Sequence, residues 1–106
     1  MYYNYEVEKM EELEIKKWNY GKYSSTNYGS HTQAIQIGKL TLYFSYDTVV
    51  AFRHPDMGMV VCENVFSTTT GKHLNWLEPD KKKRVKYDEF KKKLNEILEK
   101  HNLKVR

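Results

Sequence analysis

From residue 31 to residue 66 the chain alternates apolar and polar positions with the two-residue period of a half-buried strand. In "HTQAIQI", residues 31–37, Ile35 and Ile37 stand against polar partners, and Gly38-Lys39 supplies a turn. "LTLYFSY" sets Leu40, Leu42, Phe44 and Tyr46 on one face. Asp47 marks a tight reversal into "TVVAFR", a β-branched and aromatic run. "HPDMG" is the next reversal: Pro55 presets its first turn residue, and Gly58 closes the hairpin with a positive φ. "MVVCENVF" then forms a further strand. Strands joined by turns this short pair with their sequence neighbours, so the pattern predicts an antiparallel meander.

The two ends carry a different period. Val7, Met10 and Leu13 give a loose helical stripe, so residues 1–12 read as a short helix or arm leading into a strand over 13–20. Near the other end, Tyr87, Phe90, Leu94, Ile97, Leu98 and His101 recur as one stripe of an amphipathic helix over 86–101. Asp88 and Glu89 occupy its first turn, where the helix dipole favours negative charge. Pairs Asp88/Lys92, Glu89/Lys93 and Glu96/Lys100 have the favourable i, i+4 order. Between sheet and helix, "STTTGKHLNWLEP" begins as a loop and regains apolar positions at Leu74, Trp76 and Leu77, read as a last edge strand or a lid. The expectation is an α+β domain over 13–106: an antiparallel meander of about five strands within 13–77, packed by a C-terminal amphipathic helix.

Composition bounds this picture. The chain has 106 residues, 40% apolar and 30% charged, a single-domain length. Its one cysteine, Cys62, cannot form an internal disulfide and reads as a buried apolar residue in a reducing cytosol. No run approaches the roughly 20 apolar residues of a membrane-spanning helix. The acidic start "MYYNYEVEKMEELE" lacks the apolar region of a signal peptide, so a cytoplasmic protein is expected. Charge is uneven: residues 1–80 hold 7 basic and 10 acidic side chains, residues 81–106 hold 11 and 4.

Three segments are candidates for contact chemistry, each with a plainer reading. "NYGKYSSTNYGS", residues 19–30, has the Tyr, Ser, Asn and Gly content of adaptable recognition loops, with Tyr20, Tyr23 and Tyr28 offered to a partner. The plainer reading is a long hairpin loop whose tyrosines fold back onto the sheet. "ENVFSTTTGKHLNW" gathers Asn64, Thr69, Lys72, His73 and Asn75 around Gly71, enough donors to hold a phosphate. It lacks the spacing of a Walker loop, and the alternative is a self-bonded threonine turn. "DKKKRVK" places Lys81, Lys82, Lys83, Arg84 and Lys86 where they can neutralise phosphates, although charge runs usually mark solvated faces. Catalysis has the weakest support. No spacing of His31, His54, His73 and His101 suggests a metal site, and no cofactor is expected. An acid–base pair of His54 and His73, beside Arg53 and Asp56, is the one arrangement that would suit a metal-independent nuclease.

Over roughly residues 15–77, "YSSTNYGSHTQAIQIGKLTLYFSYDTVVAF" and "TTTGKHLNW" resemble a family of small uncharacterised proteins found in phages and other mobile elements. The acidic arm and the lysine-rich helix lie outside that resemblance. It implies no activity and no catalytic residues. It implies a context in which small proteins occupy host surfaces, as anti-CRISPR inhibitors do. The expectation is therefore a non-enzymatic protein that binds a host protein, plausible as a counter-defence inhibitor of a nuclease. The alternative is a nucleic-acid-binding accessory protein acting through residues 81–86, and the third reading is the small nuclease.

Overall fold

The turns foreseen in the alternating region form, two of them on glycine and one on a tyrosine. A computed structural model describes residues 15–21 and 31–101; the 1–12 arm, Tyr23 and Tyr28 lie outside the described residues. Five strands run in chain order: β1 (Ile15–Trp18), β2 (Thr32–Ile37), β3 (Leu40–Ser45), β4 (Thr48–His54) and β5 (Gly58–Val61). They pair antiparallel with their sequence neighbours, in the order β1-β2-β3-β4-β5. Gly38 and Gly58 take φ of 60° and 72° in the β2–β3 and β4–β5 turns, a region open to glycine at little cost. Tyr46 takes φ 56° in the β3–β4 turn without that freedom. Its ring stacks on His31 at 4.3 Å, and its N–H donates to the His31 carbonyl at 2.9 Å.

Helices cover both faces of the sheet. The C-terminal helix, α2 (Tyr87–Lys100), buries Phe90, Leu94, Ile97 and Leu98 against Leu40, Leu42, Val49, Phe52, Val60 and Cys62. Glu89 and Lys93 form the expected pair at 3.9 Å, whereas Lys100 turns to Asp56 at 3.6 Å instead of Glu96. On the opposite face, α1 (Thr68–Leu77) sets Leu74 on Val50, Ala51 and Val61, with Leu77 at the margin. Val50 and Ala51 share this face because β4 bulges: Phe44 pairs with Val49 and Tyr43 with Ala51, leaving Val50 as the extra residue.

The α1 helix corrects the expectation of an edge strand or lid over 74–77. Ser67 caps it, its hydroxyl accepting from the Thr70 N–H at 3.1 Å. Its buried stripe is Thr70, His73 and Leu74, so most of the face that packs is polar and invisible to an apolar period. The sheet accordingly ends at Val61.

The basic segment is also anchored. Val85 and Cys62 form a parallel bridge beside β5, with Val85 N–H donating to Val61 O at 2.7 Å and Glu63 N–H to Val85 O at 2.8 Å. This lays residues 81–86 along the outer edge of the sheet, facing α1. Among the described residues, no helix is long and apolar enough to cross a membrane.

Candidate functional site

Tyr20, offered by the sequence as a contact residue, is enclosed. It is 4% exposed, its hydroxyl donates to Phe44 O at 2.8 Å, and its carbonyl accepts from Thr32 Oγ1 at 2.9 Å. Its ring meets Tyr43 edge-on at 5.5 Å. For this residue the plainer reading holds: the tyrosine folds back onto the sheet and seals the β1–β2 end.

His73 is likewise no contact residue. Fully buried on α1, it brings Nδ1 to 2.7 Å from Ser45 Oγ, which lies 2.8 Å from Thr70 Oγ1. Ser67 Oγ donates to Thr70 Oγ1 at 3.2 Å. This run of three hydroxyls and an imidazole fastens α1 to the end of β3, where unpaired polar atoms would be costly. A serine beside a histidine is also the chemistry of a nucleophile and its base, but both groups are shut from solvent. Ser45→Ala is expected to cost about 1–3 kcal/mol of stability, by leaving His73 and Thr70 short of a partner. Urea titration of that variant against Thr69→Ala, which changes a residue outside the network, checks it.

The histidine pair proposed for hydrolysis does not assemble. His54 points to the face covered by α2, where its Nδ1 accepts from the Asp56 N–H at 3.1 Å and its ring lies edge-on to His101 at 5.1 Å. His73 lies on the other face of the sheet, under α1. Strand alternation separates them. No cluster of three metal-ligating side chains occurs among the described residues.

What the fold does bring together is the remainder of the two polar candidates. Thr68, Gly71, Lys72 and Asn75 recur at helical spacing along one side of α1. Lys81 and Arg84 face them, and Glu63 and Asn64 close the end, bounding an open groove of about 590 Å³. Arg84 is held in place: its Nη2 donates to Asn75 Oδ1 at 2.8 Å and its Nε to Glu78 O at 3.0 Å. Asp80 caps the 3-10 turn Lys81–Lys83, accepting from Lys82 N–H at 3.0 Å. The Glu63 carboxylate is occupied by the Tyr87 N–H at 2.8 Å and by Lys86 Nζ at 3.8 Å. Asn64 folds over the α1 N-terminus, its Nδ2 donating to Ser67 O at 3.1 Å. A Cβ at Gly71 would stand 2.9 Å from that amide nitrogen, so the glycine makes room for Asn64.

Asn64, Lys72, Asn75, Lys81 and Arg84, which the sequence offers as parts of two separate candidates, line one groove in the fold. Thr69, Lys82, Lys83 and Lys86 stand outside the groove lining. Sequence reasoning did not single out Glu63 for the groove, nor the aromatic pair Phe66 and Tyr87, which lines a separate hollow with Val49, Phe90 and Leu94 on the α2 side. Phe66 and Tyr87 sit with ring centroids 6.2 Å apart, 37% and 36% exposed. The sequence stripe places Tyr87 on the buried face of α2, but its position in the first turn leaves it at the rim.

The sequence profile of DUF8033, a family of unknown function, matches residues 6–92, and the chain belongs to that family. The match reaches beyond 15–77 at both ends, taking in much of the acidic arm and the start of α2. No curated protein and no solved structure was found to match the chain.

Proposed function

We propose that this DUF8033 protein is a non-enzymatic binding protein whose groove between α1 and the 81–86 segment holds the phosphates of a nucleic acid. The convergence of Lys72, Lys81 and Arg84 on one open groove, with Asn64, Thr68 and Asn75 between them, carries the reading. Three cations stand there against one carboxylate, Glu63, which Lys86 already partners. The guanidinium of Arg84 is pre-positioned by Asn75 and Glu78, so little side-chain freedom is lost when it meets a phosphate. Amide and hydroxyl groups between the cations supply donors to phosphate oxygens without fixing a base sequence.

The test is the salt dependence of binding. Wild-type protein is expected to bind a labelled oligonucleotide with an affinity that falls as salt rises. The double variant Lys72→Gln/Lys81→Gln should flatten the log–log slope by about 1.4 for a single strand, roughly 0.7 for each phosphate contact removed. An unchanged slope, or wild-type protein that binds no oligonucleotide at low salt, rules the groove out as a phosphate site.

A host protein as partner is the second reading, in its sharpest form a counter-defence protein of phage or mobile-element origin that blocks a nuclease. Exposed Trp18 and Trp76, residues of the kind that anchor protein interfaces, favour it. A host partner that stays bound after nuclease treatment of the lysate, with Trp76→Ala abolishing the capture, would move the weight there.

A further inference from the structure

We infer that a protein partner docks on the sheet beside the last turn of α1, through an acidic segment that carries one large apolar side chain. The inference names the partner chemistry for the protein-partner reading above, rests on that reading, and does not depend on the phosphate groove. Strand alternation brings the surface together. Trp18 of β1 pairs with Ala34 and Ala34 with Tyr43 of β3, while Arg53 of β4 pairs with Met59 of β5. By that register Trp18, Tyr43, Arg53 and Met59 all lie on the face that Leu74 of α1 covers at Val50, Ala51 and Val61. With Trp76 and Leu77 from the end of α1 they help to bound an open hollow of about 440 Å³. It shares no lining residue with the cationic groove.

The lining selects what enters. Trp18 and Trp76 are 40% and 50% exposed, and Tyr43, Met59 and Leu77 are half-buried. Tryptophan, tyrosine, methionine and arginine are the residues that protein interfaces collect. The volume is well above the roughly 150 Å³ that takes a benzene ring, so one phenylalanine or leucine side chain fits with room for its neighbour. Charge then chooses that neighbour. Arg53 is exposed, it is the one charged residue in the lining, and among the described residues no carboxylate forms an ion pair with it. Arg84, by contrast, already donates to Asn75 and Glu78. A guanidinium left open beside an apolar floor is complementary to a carboxylate flanking an apolar anchor. A nucleic acid matches less well, because its charge repeats at every nucleotide and calls for a track of cations that this lining lacks.

The test uses short fluorescein-labelled synthetic peptides, read by anisotropy. The first has a central phenylalanine or leucine flanked by aspartate and glutamate, the second the same anchor flanked by lysine, and the third the acidic flanks with glycine as anchor. Wild-type protein is expected to bind the first and neither of the others. Trp18→Ala and Trp76→Ala should each weaken that binding roughly tenfold or more. Arg53→Gln should weaken it roughly fivefold and reduce its response to salt. Lys72→Gln/Lys81→Gln should leave it unchanged, and circular dichroism verifies that all variants fold. Equal binding of the acidic and lysine-flanked peptides, or Arg53→Gln binding as wild type does, overturns the acidic partner. A labelled oligonucleotide that displaces the acidic peptide gives the hollow to nucleic acid and overturns it too. A host protein still captured from nuclease-treated lysate by both Trp18→Ala and Arg53→Gln overturns the hollow and leaves the protein-partner reading standing. If no peptide binds wild type, the inference falls, and capture of a host protein alone then decides whether that reading survives.

Discussion

Phe90→Ala is expected to lower the free energy of unfolding by about 3–5 kcal/mol, the usual cost of emptying a buried phenylalanine site. The ring is 1% exposed and meets Phe52, itself fully buried, at a centroid distance of 5.8 Å. It is the largest side chain that α2 contributes to the core it shares with β3, β4 and β5. Alanine would remove the contact and leave a cavity that Leu94 and Val49 cannot refill without leaving their rotamers. The drop corresponds to a melting temperature lower by more than roughly 10 °C in a domain of this size. Differential scanning calorimetry of the variant measures it directly. A change under about 1 kcal/mol would mean that α2 does not hold the sheet as described.

The second large effect concerns Cys62. Burial pushes its thiol from an ordinary value near 9 up to about 12, with the Glu63 carboxylate adding to the shift. At pH 8 the reactive thiolate is then rarer by about three orders of magnitude than in an unfolded chain. Labelling by a disulfide reagent should be slower in native protein by at least that factor, because the sulfur is also inaccessible. Denaturant should restore the rate of a free thiol. Because the folded chain holds this proton more tightly than the unfolded one, the stability linked to Cys62 is fully present below about pH 9. It is lost as pH rises from there toward 12. Cys62→Ala should remove that part of the alkaline destabilisation. Native protein labelled as fast as denatured protein would place Cys62 outside the core.

The sheet and α2 were legible because their patterns are local. Alternation in β3 puts Leu40 and Leu42 on one face whatever the rest of the chain does, and the stripe from Phe90 to Leu98 spaces itself as a helix. The α1 helix was not legible, for a physical reason. Its packing face includes Thr70 and His73, which are welcome there only because Ser45 supplies a hydroxyl from β3. Three consecutive threonines also argue against a helix by propensity, and only the Ser67 cap and Pro79 beyond its end spoke for one. The bulge at Val50 leaves no trace in "TVVAFR", since valine and alanine suit either face.

The groove was half legible. Its polar and basic residues stand out in the sequence, but there Asn64–Asn75 and Lys81–Arg84 read as separate candidates. The bridge between Cys62 and Val85 joins them, and pairing between positions 23 residues apart has no local signature. Tyr20 and His73 were misassigned for the complementary reason: a tyrosine or histidine in a polar run looks exposed until its hydrogen-bond partners are known.

The neighbour-to-neighbour order of the strands has a kinetic consequence. Loop closure costs little entropy when each pairing partner is only a turn away, so such ribbons can zip from one end without waiting for distant segments. The ribbon is not self-sufficient, however, because Leu40, Leu42, Phe52 and Val60 stay wet until α2 arrives. During synthesis α2 emerges after the sheet, and the interval before it docks is when the nascent chain is most open to sticking to others. A nascent chain that had emerged only as far as residue 86 would therefore present an assembled but uncovered sheet, a natural substrate for a chaperone.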